Sequence, residues 1–383
     1  MRPDTGQHPD QIDVLMISTS YPASLSDWRG LFMRHLTDAL ARRSELRLRL
    51  WAPPGDAPDN VACAADGNER RWLSELMASG GIAHLMRRRG LSGLTAPLKL
   101  LSMLHAAYRG NSSASLYHVN WLQNALPLPK DGKPILVTVL GTDLQWIGLP
   151  MMRSLLRRAF RGHRTVICPN AEWMLPVLDA AFGDLAKVHF VPFGIDPSWF
   201  RIQRSLENHG PPKWLCVTRL TQGKVGALFE WCRPFFADGK RELHLFGPMQ
   251  EPMDVPDWVT YHGPASPSSL CSDWFPHAHG LITLSQHAEG RPQVMLEAMA
   301  AGLPIIASRL EAHTDLIRDG ENGRIADDAD ALGQALTMLE DTTLNLAMGQ
   351  QARDWVKAGI GTWDDCAARY ASLYQGLLER PRE

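Results

Sequence analysis

Short unbroken runs of Val, Ile and Leu recur along this chain, each set between stretches whose apolar residues repeat at helical spacing. A strand buried on both faces reads as continuous apolar sequence, and parallel strands need helical crossovers. The alternation therefore restricts the chain to parallel α/β layers. It predicts strands at 13–18, 46–52, 115–119, 134–140, 165–169 and 187–192, then a second series at 213–218, 242–247, 258–263, 280–285 and 304–308. Helices are expected between them, for example at 30–43, 150–162, 292–301 and 329–340. Two series mean two successive α/β units. The polar stretch RIQRSLENHGPP (201–212), with its Asn, His, Gly and paired prolines, suits the joint.

Size agrees with that division, because 383 residues exceed what one hydrophobic core usually serves. A composition 45% hydrophobic and 21% charged excludes a disordered chain. The six cysteines lie far apart, without the paired spacing of a zinc site or redox couple, which fits a reduced compartment. No secretory signal is visible in the polar start MRPDTGQHPDQ, and no apolar stretch reaches the roughly 20 residues of a spanning helix. The expected location is cytoplasmic. Net charge is -2, yet residues 1–200 sum to +5 and the rest to -7, with 14 basic against 3 acidic residues from Arg70 to Arg164. That asymmetry reads either as a solvated basic face or as contact with anionic headgroups or an anionic acceptor.

The segment HAEGRPQVMLEAMAAGLPIIAS (287–308) sets two glutamates around an apolar helix. Pro292 suits the first helical position and Gly302 the residue past the end. Glu289 then precedes the helix and Glu297 lies in its second turn. The unpaired N–H groups around Arg291, Gln293 and Val294 form the positive end of the helix dipole, a site for anions. In open parallel sheets ligands bind beyond the carboxyl ends of the strands. Arg219 and Lys224 in TRLTQGK, Gly247 closing HLFG, and Glu289 after LITLS all fall at that edge. Arg and Lys there supply countercharge for a diphosphate, and a glutamate can fix sugar hydroxyls.

These residues carry a resemblance. EGRPQVMLEAMAAGLPIIAS, with Glu289 and Glu297, resembles the paired-glutamate element of retaining glycosyltransferases of family 4, also called group 1, and VTRLTQGK is similar to that family's Arg-Leu-x-x-x-Lys element. LEAHTDLIRDGENGRIADD (310–328) looks like the segment that follows. Looser likenesses cover most of the remainder. SYPASLSDWRGLFMRHLTDALARR looks like the N-terminal glycine loop and helix, HVNWLQNALP like a His-x-His-Trp element, and FVPFGIDPSWF like the stretch closing the first domain.

The resemblance implies an α/β GT-B fold of two Rossmann-like domains facing across a cleft. It implies an acceptor-binding domain at 1–200, a nucleotide-sugar-binding domain at 201–360, and a helix at 361–383 crossing back to the first domain. It further implies a retaining hexosyltransferase that moves sugar from a nucleoside diphosphate sugar to a saccharide or lipid-linked acceptor, forming an α-linkage, with no metal or other cofactor and no nucleic-acid partner. Arg219 and Lys224 would hold the donor diphosphate, and Glu289 hydroxyls of the transferred sugar. Glu297 would take the ribose, and Gly30, Gly247 and the backbone of Arg291, Pro292, Gln293 and Val294 would take donor oxygens. The acceptor or sugar pocket would draw on His118, Asn120, Gly141 and Asp143.

Departures from the family pattern are local. Leu140 stands where a His-Gly-x-Asp histidine is usual, Asn120 replaces the second histidine of His-x-His, and Phe193 replaces an asparagine. The first of these motivates an alternative, a catalytically silent nucleotide-sugar-binding regulatory subunit. A nucleotide-sugar epimerase is a second rival, with none of its motifs present, and the lack of a Gly-x-Gly-x-x-Gly after the first strand disfavours a dehydrogenase. Asp328-Ala329-Asp330 is expected to be a helix cap, not a metal ligand set. Two segments, 84–110 and 151–164, mix Arg and Lys with Leu and Met, as surface helices or as helices resting on an anionic membrane.

Overall fold

The computed structural model describes residues 11–24, 27, 29–79, 95–206 and 210–379. The chain divides into two compact units, Met1–Phe193 with Trp363–Glu383, and Gly194–Thr362.

In the first unit the order is β1 (Ile12–Ile17), α1 (Leu31–Ala41), β2 (Leu46–Trp51), β3 (Ala62–Cys63), α2 (Gly67–Ala78), α3 (Thr95–Gly110), β4 (Leu116–Asn120), β5 (Ile135–Val139), α4 (Met152–Phe160), β6 (Thr165–Pro169), α5 (Leu175–Phe182) and β7 (Lys187–Val188). All pairings are parallel, in the order β3-β2-β1-β4-β5-β6-β7. Strands β4, β5 and β6 are buried at every residue, which is why their sequences lack polar alternation. Leu15 and Ile17 pack on one face of the sheet with α2 to α5. Val14 and Met16 pack on the other with α1 and the last helix of the chain.

The second unit runs β8 (Lys213–Val217), α6 (Leu228–Phe236), β9 (Glu242–Phe246), β10 (Val259–Gly263), β11 (Gly280–Thr283), α7 (Gln293–Ala300), β12 (Ile305–Ser308), β13 (Arg324–Ala326), α8 (Ala329–Leu339) and α9 (Thr342–Gly359). Its strand order is β10-β9-β8-β11-β12-β13, again all parallel. Both sheets therefore have Rossmann order, with the topological switch between β1 and β4 in the first and between β8 and β11 in the second. In open parallel sheets of this order ligands bind at the carboxyl edge of the switch point.

The last helix, α10 (Trp363–Glu379), belongs to the first unit. Trp363, Cys366, Tyr370, Tyr374 and Leu377, spaced three or four apart, bury one stripe of it against that unit's core. The divisions fall at 193/194 and 362/363, not at 200/201 and 360/361. Ile195, Trp199 and Ile202 are buried in the second unit's core, and the Ile195 N–H donates to the Gly361 carbonyl at 3.1 Å. The apolar residues of GIDPSWF thus hold the chain to the second unit before the polar stretch begins. Strands β3 and β13 escaped the sequence reading because two and three residues carry no period. Asp328 caps α8 by accepting from the Ala331 N–H at 2.8 Å. Among the described residues no helix is long and apolar enough to cross a membrane.

Candidate active site

Beyond the carboxyl end of β8 the chain makes one short helical turn, Gln222–Val225, fastened at its start by two acceptors. Thr221 Oγ1 accepts from the Lys224 N–H at 3.3 Å and Glu251 Oε2 from the Gln222 N–H at 2.7 Å. The turn then docks on the end of β11. Gly226 has φ 54°, and a Cβ there would stand 2.1 Å from the Leu284 carbonyl oxygen, so only glycine allows this approach. The Gln286 N–H donates to the Gly223 carbonyl at 2.8 Å and the Ala227 N–H to that of Leu284 at 3.3 Å. These backbone bonds register the two loops.

The register brings Lys224 Nζ onto Glu289 Oε2 in an ion pair whose side chains are only 12% and 16% exposed. Burial pulls the Lys224 ammonium below its usual range, Glu289 opposes that shift, and the like charge of Arg219 adds to it. Arg219 also contacts Gln250, Nη1 to Oε1 at 3.5 Å. His287 lies in the same field, lowered by burial and by both cations and raised by Glu289. Arg219, Lys224 and Glu289 are therefore one electrostatic cluster. His287, Gln250 and Gly226 belong to it and escaped the sequence reading. A glycine closing the QGKVG turn was the one available signal.

Helix α7 begins one residue later than expected: Pro292 is its N-cap, at φ -65° and ψ 120°, and Gln293 its first helical residue. The first-turn N–H groups of Gln293 and Val294 have no carbonyl one turn back. Gln293 extends its side chain to the Gly194 carbonyl, Nε2 to O at 2.9 Å, and Val294 packs on the apolar core. The Arg291 side chain takes no part in this N–H site. The Arg291 guanidinium is buried and ion-paired with Asp315, through Nε at 3.0 Å and through Nη2, so its charge is turned into the protein. Glu297, in the second turn, is partly exposed, and burial together with the nearby Asp196 carboxylate pushes its carboxyl up to about 8. At the far end Arg353 donates to the carbonyls of Ala300 and Ala301, and Arg204 to that of Gly302, fixing the helix axis.

Gly247 has a backbone role. Its φ is 136°, a Cβ would overlap the Thr218 carbonyl oxygen at 1.6 Å, and its N–H donates to the Gly263 carbonyl at 2.8 Å. This residue lets β9 end against the strand that leads to Arg219.

At the carboxyl edge of the first sheet, Gly30 is the N-cap of α1 with φ 74°. Asn120 is buried at the end of β4, and its Nδ2 donates to the Ile17 carbonyl at 3.0 Å, tying β4 to β1 at the switch point. Trp121 follows with φ 67°, a conformation that costs a non-glycine residue about 1–3 kcal/mol. Gly141 and Asp143 form the turn after β5. The Asp143 carboxylate is buried and accepts from the N–H groups of Leu140 at 3.0 Å and Leu122 at 3.2 Å, so it pins the loops after β4 and β5 together. Burial pushes its carboxyl up to about 6, with those N–H groups opposing. For His118 the expectation needs correction. It is fully buried inside β4, bonded through Nδ1 to Tyr374 Oη at 2.6 Å and through Nε2 to Thr138 Oγ1 at 2.8 Å. Nδ1 is spent on holding α10 and Nε2 on β5, and burial alone pulls its pKa to about 3. Such a side chain lines no sugar pocket.

The model of the family "Glycosyl transferases group 1" matches residues 212–341, the span that holds the Arg219, Lys224 and Glu289 cluster. Over 95% of this chain and 98% of the relative, the sequence is 25% identical to a GDP-mannose-dependent alpha-(1-6)-phosphatidylinositol monomannoside mannosyltransferase of Mycobacterium tuberculosis. Among solved structures, a sucrose-phosphate synthase from Thermosynechococcus elongatus superposes with a TM-score of 0.70 at 17% identity, covering 96% of this chain and 99% of that one. Anabaena HepE in complex with UDP and glucose gives 0.62 at 13% identity, covering 95% and 100%. Two Rossmann-ordered parallel sheets of the GT-B type and this cationic edge define a glycosyltransferase. The chain carries a group 1 glycosyltransferase domain over residues 212–341.

Proposed function

We propose that the protein transfers a hexose, mannose in the first instance, from a nucleoside diphosphate donor to a glycolipid or other lipid-linked acceptor, with retention of anomeric configuration. The observation that carries this reading is the placement of Lys224, Glu289 and Arg219 at the switch-point edge of β8 and β11. Cleaving the bond between an anomeric carbon and a diphosphate builds negative charge on the leaving group. Preorganised cations in a partly water-excluded site stabilise that charge as it develops. Arg219 and Lys224 would meet the diphosphate, with the first-turn N–H groups of α7 adding their dipole. Glu289, steadied by Lys224 through one oxygen, would accept sugar hydroxyls through the carboxylate's remaining lone pairs. It orients the sugar and does not attack it.

Glu297, four residues along the same helix face as Gln293, would take the ribose hydroxyls, whose donation favours its ionised form. The loops held by Asn120 and Asp143 form the acceptor side of the first unit in this reading. The mannosyl donor and glycolipid acceptor are supported by the name of the mycobacterial relative, which extends over nearly the whole chain. A lipid-linked acceptor also accounts for the basic bias of residues 70–164 as contact with an anionic membrane face; of the segment 84–110, residues 84–94 lie outside the described residues.

The test is to incubate purified protein with GDP-mannose or UDP-glucose and a phosphoinositide-type acceptor, and to determine the anomer formed by NMR. Transfer with an α-linkage from GDP-mannose is expected, with at least tenfold loss in Arg219→Ala at unchanged folding. Equal turnover by that variant, or an inverted anomer, would refute the proposal.

A further inference from the structure

A cavity of about 370 Å3 opens in the first unit between α3, the segment 126–130 and α4. That volume lies in the range of small-molecule sites, about 300–1,000 Å3. Its walls are apolar, from Leu101, Leu126, Leu128 and Leu155, and carry two cations, Lys130 and Arg158. His105 Nδ1 bonds the Pro127 carbonyl at 2.9 Å and so fixes α3 to the floor. Along α4, Met151, Leu155 and Arg158 follow one another at helical spacing of four and three, on one face. Met151 is 74% exposed, Leu155 46% and Leu98, one turn before Leu101 on α3, 67%.

Large exposed apolar side chains beside lysine and arginine are the composition of an interfacial surface. Asp131, next to Lys130 in the chain, is already engaged by Tyr117 Oη at 2.6 Å, and Asp184 by Arg157. In a parallel sheet the crossover helices run antiparallel to the strands, so Leu98 and Met151, at the starts of α3 and α4, lie toward the carboxyl edge. The groove thus leads from the flank of the first unit toward the edge that Asn120 and Gly141 occupy.

We propose that this cavity receives the acyl chain of an anionic membrane phospholipid, with Lys130 and Arg158 on the headgroup phosphate and Leu98 and Met151 seated in the surrounding interface. The site lies in the first unit and uses none of the donor residues, so its failure and the failure of the catalytic reading are separable.

The full chain is sedimented with phosphatidylcholine vesicles with and without phosphatidylglycerol, and titrated with a fluorescent long-chain fatty acid. Binding to the anionic vesicles is expected to exceed that to neutral ones by about tenfold. It should disappear in Lys130→Glu/Arg158→Glu and return in Lys130→Arg/Arg158→Lys. Ala159→Phe, which fills the cavity and keeps both charges, should weaken fatty-acid binding about tenfold at unchanged circular dichroism; Leu155→Asp, at an exposed position, serves if that variant misfolds. Equal binding to both vesicle types, or undiminished fatty-acid binding when the cavity is filled, overturns the proposal. Lipid binding without any donor turnover would count against the catalytic reading alone.

Discussion

Lys224 and Glu289, 65 residues apart in sequence, form an ion pair that joins the loop after β8 to the loop after β11. Both side chains are mostly buried, and neither loop alone would hold its charge in place. Removing one partner leaves the other charge underpaired in a poorly solvated position, which costs more than the pair itself contributes. Lys224→Ala is expected to lower kcat about 100- to 1,000-fold, the range for losing a preorganised stabiliser of developing negative charge. Steady-state kinetics beside thermal unfolding checks it. A loss of stability with intact kcat would confine Lys224 to a structural role.

Gly226 offers a test that touches neither charge. Alanine there must carry φ 54° and push its Cβ into the Leu284 carbonyl. The turn bearing Lys224 must then shift away from β11. A destabilisation above about 1 kcal/mol is expected, together with weaker nucleotide binding measured by calorimetry. Wild-type affinity in Gly226→Ala would show that the docking of the two loops is irrelevant to the site.

Glu297 sets a pH dependence. Its folded carboxyl titrates at about 8 against 4.5 for the ordinary group. The folded state therefore binds the proton more tightly, and stability falls as pH rises from 4.5 through 8. Nucleotide affinity should move the other way, because ribose hydroxyls favour the carboxylate: a rise of about tenfold between pH 6.5 and 8.5 is expected. Glu297→Gln should flatten both profiles. Parallel profiles for wild type and variant would exclude Glu297 as the group responsible.

His118 is expected to matter for stability and not for turnover. Its pKa near 3, against 6.5 when unfolded, means that stability is full above 6.5 and is lost as pH falls toward 3. His118→Phe should blunt that acid loss. It should also cost about 1–3 kcal/mol for the Tyr374 hydroxyl left without its His118 partner, while the Thr138 hydroxyl keeps Tyr370 Oη. The donor KM should hold, while a large rise in KM at intact folding would return His118 to the substrate site.

Asp143 divides oxygen acceptors between two backbone N–H donors in separate loops. Asn has one acceptor oxygen, so Asp143→Asn must give up one bond. A loss of about 1–3 kcal/mol is expected, read from the denaturation midpoint. No change in the midpoint would mean that the loops after β4 and β5 are held by other contacts.

Much of this protein was legible without coordinates. Continuous apolar runs announce doubly covered parallel strands, because a buried strand admits no polar alternation, and the eleven runs read from the sequence all became strands. Pro292 and Gly302 bracketed α7 because proline and glycine act on the backbone locally. The charge types at Arg219, Lys224, Glu289 and Glu297 were likewise open to inspection, since they are written in the residues themselves.

The partners of those charges were decided only by tertiary structure. Arg291 and Lys224 look alike as cations near one helix, yet Arg291 is spent on Asp315 while Lys224 faces Glu289. His118 matched a family pattern, but Tyr374 of α10, arriving more than 200 residues later, takes one of its nitrogens and Thr138 of β5 the other. Strand periodicity and helix capping are short-range and survive in a single line of text. Which side chain meets which depends on long-range packing, on glycines such as Gly226 that let two backbones touch, and on burial that moves a carboxyl or imidazole far from its ordinary titration.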